Sequence, residues 1–256
     1  MLRTLPYGES DLILHLLVRG VGRVSAFAKG GRSQGRSRQR FGGALEQFQL
    51  TEVLLAEARS SEMLALREAS LIEPYLGLRE QLPRIAHAGY AAELLHNLTH
   101  AREPADALFA LVCRFCALLA QGAATSARLR ALELCALEAA GLSPELARCA
   151  RCGGPLPKGR VAFDPAAGGV ACARCASPAA LLLTTGARAA LDQLQARGLD
   201  GAESPRAADG SFRAASPRGF EEACAQAALP LAAFLEHHLG RGMRTALFLA
   251  QVGAPR

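Results

Sequence analysis

The sequence predicts an α+β protein of more than one domain, and three observations lead to that prediction. Short apolar and alternating runs separated by glycine-rich turns occupy residues 1–76, which is the pattern of β-strands. Apolar residues recur with a helical period through much of residues 77–256, and a cysteine-rich segment interrupts that period between residues 148 and 178. The chain has 256 residues, 50% of them hydrophobic, which suffices for one large or two small domains with a sizeable core.

The β-rich region contains three candidate strands, namely DLILHLLV (11–18), GRVSAFA (22–28) and EQFQLTEVLLAEA (46–58). Several short strands without long helices between them favour a small barrel or a sandwich. We therefore expect a compact β domain over residues 1–76.

The next region carries two apolar stripes with helical spacing. The stripes comprise Leu78, Leu82, Ile85 and Gly89, and then Leu108, Leu111, Val112, Phe115 and Leu119. Gly141 is the expected stop of a helix over about 127–140. We expect residues 77–147 and 179–256 to form one helical domain. The Gly-, Pro- and Ser-rich stretch 198–218 should be a flexible loop between its helices.

Four cysteines form the strongest chemical signal in the chain. Cys149-x2-Cys152 is followed, after 19 residues, by Cys172-x2-Cys175, a spacing that fits one structural Zn²⁺ held by four thiolates. The alternative is four free thiols or two redox pairs. Because a four-thiolate site has no open position, the metal should be structural, in an inserted module over residues 148–178.

The other four cysteines predict no metal site. Cys113 and Cys116 lie inside an apolar helical run without a second pair nearby in sequence, and Cys135 and Cys224 stand alone. We interpret all four as small apolar residues of the core.

The second signal is a basic run between Leu12 and Leu45, which contains no acidic residue. Its basic residues are Arg19, Arg23, Lys29, Arg32, Arg36, Arg38 and Arg40. Its centre, KGGRSQGRSRQR, should be an exposed loop that attracts a polyanion such as the phosphates of a nucleic acid. The alternative is an ordinary solvated face. The aromatic residues Tyr7, Phe27 and Phe41 lie close by in sequence and could stack on unpaired bases, although such phenylalanines are more often part of the core.

No catalytic motif stands out. Gly30-x4-Gly35-Arg36-Ser37 approaches a phosphate-binding loop, but Arg36 stands where that loop needs lysine. We expect a protein that is not an enzyme. Two other classes remain open, namely a zinc-ribbon adaptor between proteins without direct DNA function, and a metal-dependent enzyme.

Neither a membrane span nor a secretory signal is predicted. No uncharged apolar run reaches about 18 residues, and MLRTLPYGESD lacks a basic segment followed by an apolar one. We therefore expect a cytoplasmic protein whose cysteines are reduced.

Several segments, in order, resemble the bacterial DNA repair protein RecO family of recombination mediators. YGESD with LILHLLVRGVGRVSAFAKGGR, then LEQFQL and LREASLIEPY, are similar to the N-terminal part of that family. ALEAAGLSPELARCARCG, FDPAAGGVACARC and HHLGRGMRTALFL are similar to its zinc module and closing helix. Only MLRTLP precedes Tyr7, so either the first strand is shorter than is usual in the family or the sequence begins late.

The resemblance implies more than the residues do. It implies an N-terminal OB-fold that binds DNA, followed by a helical domain with the zinc module inserted. It also implies binding and annealing of single- and double-stranded DNA, in a cytoplasmic, nucleoid-associated setting. The implied protein partners are RecR, the C-terminal tail of single-strand-binding protein and, indirectly, the recombinase RecA.

Overall fold

The computed structural model describes residues 1–33, 40–41, 43–58, 61–203 and 216–253. The chain forms two compact units, one of Met1–Gly122 with Phe248–Arg256 and the other of Ala123–Leu247. The first unit thus contains the sheet together with the helices that follow it. The domain division predicted from the sequence has boundaries near residues 76, 148 and 178, whereas the compact units divide after Gly122 and after Leu247. The predicted domains therefore stay a prediction.

The first unit is built on a five-stranded sheet. Its strands are β1 (Arg3–Tyr7), β2 (Asp11–Val18), β3 (Gly22–Ala28), β4 (Leu50–Ala58) and β5 (Ser61–Glu73), in the order β1-β2-β3-β5-β4. Neighbouring strands are antiparallel except for β3 and β5, which are parallel. The predictions over 11–18 and 22–28 are confirmed. The strand predicted over 46–58 was wrong at its start, because β4 begins at Leu50 and residues 46–49 lie in the connection before it.

The core of this sheet follows from the alternation of β2. Leu12, Leu14 and Leu16 are buried on one face, where they join alternate residues of β3. Phe41, whose exposure is 1%, belongs to the same cluster. An isolated strand pair is marginally stable, so this shared apolar face is what holds the sheet together.

Two helices follow the sheet in the first unit, namely α1 (Leu82–Leu98) and α2 (Asp106–Gln121). A 3₁₀ helix, Leu76–Glu80, precedes them. In the predicted stripes Leu78, Leu108, Phe115 and Leu119 are buried, and Leu111 and Val112 are half-buried. Leu82 was predicted wrongly, since it opens α1 and its side chain is exposed.

The second unit combines helices with a small antiparallel sheet. Its elements are α3 (Ser126–Ala139), β6 (Val161–Asp164), β7 (Gly169–Ala171), β8 (Leu181–Leu183), α4 (Thr185–Arg197), α5 (Leu199–Glu203), α6 (Pro217–Gln226) and α7 (Ala228–Leu239). The helix α8 (Arg244–Gly253) follows, and its residues from Phe248 onward belong to the first unit. The strand order is β7-β6-β8. The helix predicted to stop at Gly141 is confirmed as α3, and Gly141 has a φ of 73°.

Two sequence predictions in this unit need correction. Residues 181–183 are a strand rather than helix, because they pair with β6, a partner that is remote in sequence. Part of the loop predicted over 198–218 is the helix α5, and residues 204–215 of it lie outside the described residues.

The small sheet packs on a helix of the same unit. Phe163 of β6 and Phe234 of α7 are both fully buried, and their ring centroids lie 5.8 Å apart. The cysteine-rich segment is therefore anchored to the helices through an aromatic contact. Among the described helices, none is long and apolar enough to cross a membrane.

Candidate metal centre and candidate nucleic-acid surface

The four predicted cysteines come together in the structure. The sulfur atoms of Cys149, Cys152, Cys172 and Cys175 all lie within 4.8 Å of one another. The second pair begins directly after β7, and the backbone N–H of Ala150 donates to the carbonyl oxygen of Val170 in β7 at 2.8 Å. The sheet thus brings into contact two segments that are far apart in sequence.

Each pair is a tight turn with the same sequence, Cys-Ala-Arg-Cys. The N–H of Gly153 donates to the carbonyl oxygen of Cys149 at 2.8 Å, and the N–H of Cys175 donates to that of Cys172 at 2.9 Å. Gly153 has a φ of 68°, a left-handed conformation that glycine adopts without strain. These turns direct both sulfurs of a pair toward one point.

The sulfur positions fit a tetrahedral ion. A zinc–sulfur bond of about 2.3 Å makes neighbouring sulfurs of a tetrahedron about 3.8 Å apart, and the sulfurs of Cys152 and Cys172 are 3.9 Å apart. Four thiolate ligands complete the coordination shell and leave no position for a reactive water. A metal bound here would therefore hold the module together rather than catalyse a reaction.

The thiols do not ionise alike. Hydrogen bonds from backbone N–H groups, first that of Cys172, lower the pKa of Cys149 to about 6. Backbone hydrogen bonds, first that of Arg174, also lower the pKa of Cys172. Hydrogen bonds with the neighbouring thiols of Cys172 and Cys152 raise the pKa of Cys175 to about 12. Thiolates this close repel one another, so only a cation would let all four ionise.

A buried carboxylate supports the second pair. Asp164 is 1% exposed and accepts hydrogen bonds from the N–H groups of Ser177 at 2.9 Å and Ala166 at 3.1 Å. Burial opposes its ionisation, but these hydrogen bonds prevail and lower its pKa. The Arg151 guanidinium lies 3.9 Å from the same carboxylate. Asp164 therefore positions the backbone that follows Cys175, a role that sequence spacing alone does not indicate.

The remaining cysteines lie apart from this centre. Cys116 and Cys224 are buried, as predicted, and burial raises the pKa of each thiol to about 12. Cys113 and Cys135 are half-buried. Among the described His, Cys, Asp and Glu residues, the quartet is the one group of three or more that could hold a metal ion.

The predicted DNA-binding residues do not all lie together. Arg19 follows β2, whereas Lys29 and Arg32 follow β3, and the seven residues of β3 span about 20 Å between these two ends. All three side chains are exposed. Arg36 and Arg38 lie outside the described residues.

Two of the arginines are engaged by the first unit itself. Arg23 is half-buried and donates from Nε to the carbonyl oxygen of Thr99 at 3.2 Å. The Arg19 guanidinium lies over the Phe109 ring, 5.1 Å from its centroid. These contacts orient the two side chains, and a role of either in binding DNA stays a prediction.

Lys29, Arg32 and Arg40 define what we call the β3-end cluster. Arg40 is exposed and donates to the carbonyl oxygen of Arg67 at 3.0 Å. The parallel pairing of Phe27 with Ala65 places Arg67, which lies within β5, beside the end of β3, since Lys29 and Arg67 are each two residues past that pair. Among the described carboxylates, none forms an ion pair with a cation of the cluster. Asp11, whose Oδ1 accepts from the N–H of Gly30 at 2.7 Å, lies at the same end.

Arg67 is a residue that the sequence analysis missed. Its side chain is exposed beside the β3-end cluster. It lies outside the acid-free run, between Glu62 and Glu68, so its sequence context gave no signal. The strand pairing of β5 with β3 is what brings it to this surface.

The aromatic side chains near the cluster divide into two kinds. Phe41 is buried in the core, which is the alternative that the sequence left open. Tyr7 is 55% exposed, and its ring packs edge-on against Phe27 with centroids 5.8 Å apart. Tyr7 pairs with Asp11 and therefore lies at the same end of the sheet as Lys29. An exposed ring beside unpaired cations is a suitable surface for an unstacked base.

The fold and the site define an α+β protein with a five-stranded sheet that carries a cluster of exposed cations, and with four cysteines placed so that they could hold a metal ion. The family model described as "Recombination protein O N terminal" matches residues 1–75, and the one described as "Recombination protein O C terminal" matches residues 79–246. The chain therefore belongs to the RecO family of DNA repair proteins.

Individual relatives agree with this assignment. The chain is 46% identical over 260 residues to a DNA repair protein RecO of Anaeromyxobacter sp. (strain Fw109-5), covering 99% of this chain and 94% of the relative. It is 38% identical over 261 residues to the RecO of Myxococcus xanthus, covering 99% and 96%. It is 36% identical over 182 residues to that of Rubrobacter xylanophilus, covering 70% of each chain.

Proposed function

We propose that this protein is a recombination mediator without catalytic activity, which binds single- and double-stranded DNA and anneals complementary strands. Membership of the RecO family supports a role in DNA repair. The single observation that carries the proposed DNA contact is the β3-end cluster, whose exposed cations have no ion-pair partner among the described residues. These side chains would neutralise phosphates of the DNA, and the counterions released from the DNA would favour binding.

Annealing needs no covalent chemistry in this proposal. Two complementary strands repel each other through their phosphates, and a cationic surface that neutralises both allows them to pair. Arg36 and Arg38, together with the β3-end cluster, Arg19 and Arg23, form the proposed DNA-binding set. Tyr7 would stack on an unpaired base beside Lys29.

The sheet is proposed to be a small OB-fold barrel. The order β1-β2-β3-β5-β4 leaves β1 and β4 to close it. Hydrogen bonds bridge that seam at its start, where the N–H of Phe48 donates to the carbonyl oxygen of Met1 and the Met1 amino group donates to that of Gln49, both at 3.0 Å. A closed barrel leaves no free sheet edge and presents a rigid surface to DNA.

One Zn²⁺ per chain is proposed for the four-cysteine centre. Such an ion would contribute its binding free energy to the folding of the module. RecR, the C-terminal tail of single-strand-binding protein and, indirectly, RecA are the proposed protein partners in a cytoplasmic, nucleoid-associated setting. They follow from the family, and no surface of the chain is assigned to them.

The test is an annealing assay with two complementary oligonucleotides, without ATP. We expect the protein to accelerate duplex formation, and the double variant Lys29→Ala/Arg32→Ala to lose most of that acceleration. The matched control is Arg218→Ala/Arg241→Ala, which removes the same charge at exposed positions of the other unit.

Binding of single-stranded DNA supplies a second readout. If about five cations contact the strand, log K should fall with log salt at a slope near −3.5, from about −0.7 per contact. A flat salt dependence together with no acceleration of annealing would favour the zinc-ribbon adaptor instead. Turnover of a substrate that required the metal would favour the metal-dependent enzyme.

A further inference from the structure

A second surface of the chain has one sign of charge. Residues 146–191 contain the basic residues Arg148, Arg151, Lys158, Arg160, Arg174 and Arg188 and a single acidic residue, Asp164. In sequence Asp164 interrupts the run. In the structure its side chain is 1% exposed and is held by backbone N–H groups, so it is absent from the surface.

The remaining charges differ in how they are engaged. Arg148 forms an ion pair with Glu145 at 3.3 Å, and Arg151 lies near Asp164 while its side chain stays 49% exposed. Lys158, Arg160 and Arg174 are exposed, and no carboxylate among the described residues pairs with them. Three unpaired cations and one partly paired cation thus remain on the four-cysteine module.

The topology brings these four cations to one end of the small sheet. Arg151 and Arg174 occupy the same position in the two Cys-Ala-Arg-Cys turns, whose sulfurs are as close as 3.9 Å. Ala162 pairs with Ala171, so Arg160, two residues before Ala162, lies at the end where the second turn begins. Lys158 lies two residues before Arg160, in the segment that leads into β6. We call Arg151, Lys158, Arg160 and Arg174 the module cations.

We infer that the module cations form a second binding surface for the phosphate backbone of nucleic acid, separate from the β3-end cluster. The inference goes beyond the proposed function, which places DNA contact in the first unit alone. A nucleic acid fits this surface better than a protein partner does. In residues 146–191, all of which the structure describes, Leu182 is the one exposed large apolar side chain, whereas protein interfaces depend on several apolar anchors.

The competing explanation is local. Four thiolates around a divalent ion carry a net charge of about −2, which Arg151 and Arg174 could offset without any ligand. That explanation does not account for Lys158 and Arg160, which lie outside the two turns. The test therefore uses Lys158→Ala/Arg160→Ala, which leaves the ligands and their turns unchanged.

The experiment measures binding of a fluorescent oligothymidylate by the full chain at several salt concentrations. The module variant should bind more weakly, with a salt slope shallower by about 1.4, from about 0.7 for each of two lost contacts. Arg218→Ala/Arg241→Ala, with the same loss of charge, should keep the wild-type slope. Metal content and circular dichroism of each variant verify that the fold is intact.

The outcomes separate this inference from the proposed function. If Lys158→Ala/Arg160→Ala keeps the wild-type salt slope while Lys29→Ala/Arg32→Ala has a shallower one, the module surface is refuted and the proposed function stands. If the salt slope becomes shallower in Lys158→Ala/Arg160→Ala but not in Lys29→Ala/Arg32→Ala, the module surface is supported and the proposed first-unit site is overturned. Wild-type protein that fails to bind DNA overturns both. Binding of polyglutamate but not DNA by the module cations would refute the assignment to nucleic acid.

Discussion

At the scale of single residues, His15 shows how a fold changes the chemistry of one side chain. It lies half-buried on β2, where its Nδ1 is 3.1 Å from the Ser25 hydroxyl oxygen and its ring centroid is 5.6 Å from that of His96. Burial, and then the charges of Arg3 and Arg23, lower the pKa of His15. The folded state therefore resists protonation of this ring.

A pH dependence of stability follows from His15. The unfolded chain binds a proton at this residue near pH 6.5, whereas the folded chain does so only at lower pH. The contribution of the neutral His15 ring to the free energy of unfolding should thus be fully present above about pH 6.5. It should be lost progressively as the pH drops below that value. Replacing His15 by Asn should reduce this loss, measured as the difference in urea midpoint between pH 7.5 and 5.5.

The control for this measurement is His100→Asn, since His100 is an exposed histidine of the same unit. It should retain the pH dependence of the wild-type protein. Equal losses of stability in the wild type and the His15→Asn variant would show that His15 does not contribute to acid destabilisation.

At the scale of elements, local pattern predicted some parts of the chain and long-range pairing determined others. The alternation of DLILHLLV is confirmed as β2, and the turns around Cys149 and Cys172 place their sulfurs as the ligand spacing required. In contrast, β5 has the sequence SEMLALREASLIE, which is rich in helix-forming residues, and its pairing with both β3 and β4 makes it a strand. The burial of Asp164 could not be predicted from the sequence either, because it depends on how the whole module folds.

The four-cysteine module requires a glycine at the start of β7. Gly169 has a φ of 148°, and a Cβ atom there would lie 2.2 Å from the carbonyl oxygen of Glu145. That close approach lets the N–H of Val170 donate to the same oxygen at 2.9 Å. The contact joins the segment before Cys149 to the strand before Cys172.

Substitution of Gly169 should therefore weaken the module. We expect Gly169→Ala to lower the free energy of unfolding by about 2 kcal/mol or more and to reduce zinc affinity. Gly168→Ala is the matched control, because Gly168 also has a positive φ, of 87°, but no atom within 4 Å of an added Cβ. Its loss should be limited to backbone strain of about 1–2 kcal/mol. Chemical unfolding and competition with a metal indicator measure the two effects, and equal losses would contradict the importance of the close approach.

At the scale of the whole molecule, the two compact units differ in what stabilises them. The sheet of the first unit has strands of five to thirteen residues around an apolar cluster. The sheet of the four-cysteine module has strands of four, three and three residues. Strands this short do not form a stable sheet without further support, and the aromatic contact of Phe163 with Phe234 supplies only part of it. The proposed metal would provide the rest.

Removal of the metal should consequently affect one region of the chain. After treatment with a chelator, amide hydrogen exchange should accelerate across residues 149–183, because the thiol cluster no longer holds the two turns together. Exchange in β2 and β3 should keep its rate, since the buried leucines of that sheet do not depend on the metal. Cys152→Ser should reproduce the chelated pattern without chelator, whereas Cys113→Ser, which changes a half-buried thiol outside the quartet, should leave residues 149–183 protected. Unchanged protection of these residues after chelation would mean that the module folds without the ion, and the four thiols would then have no structural role.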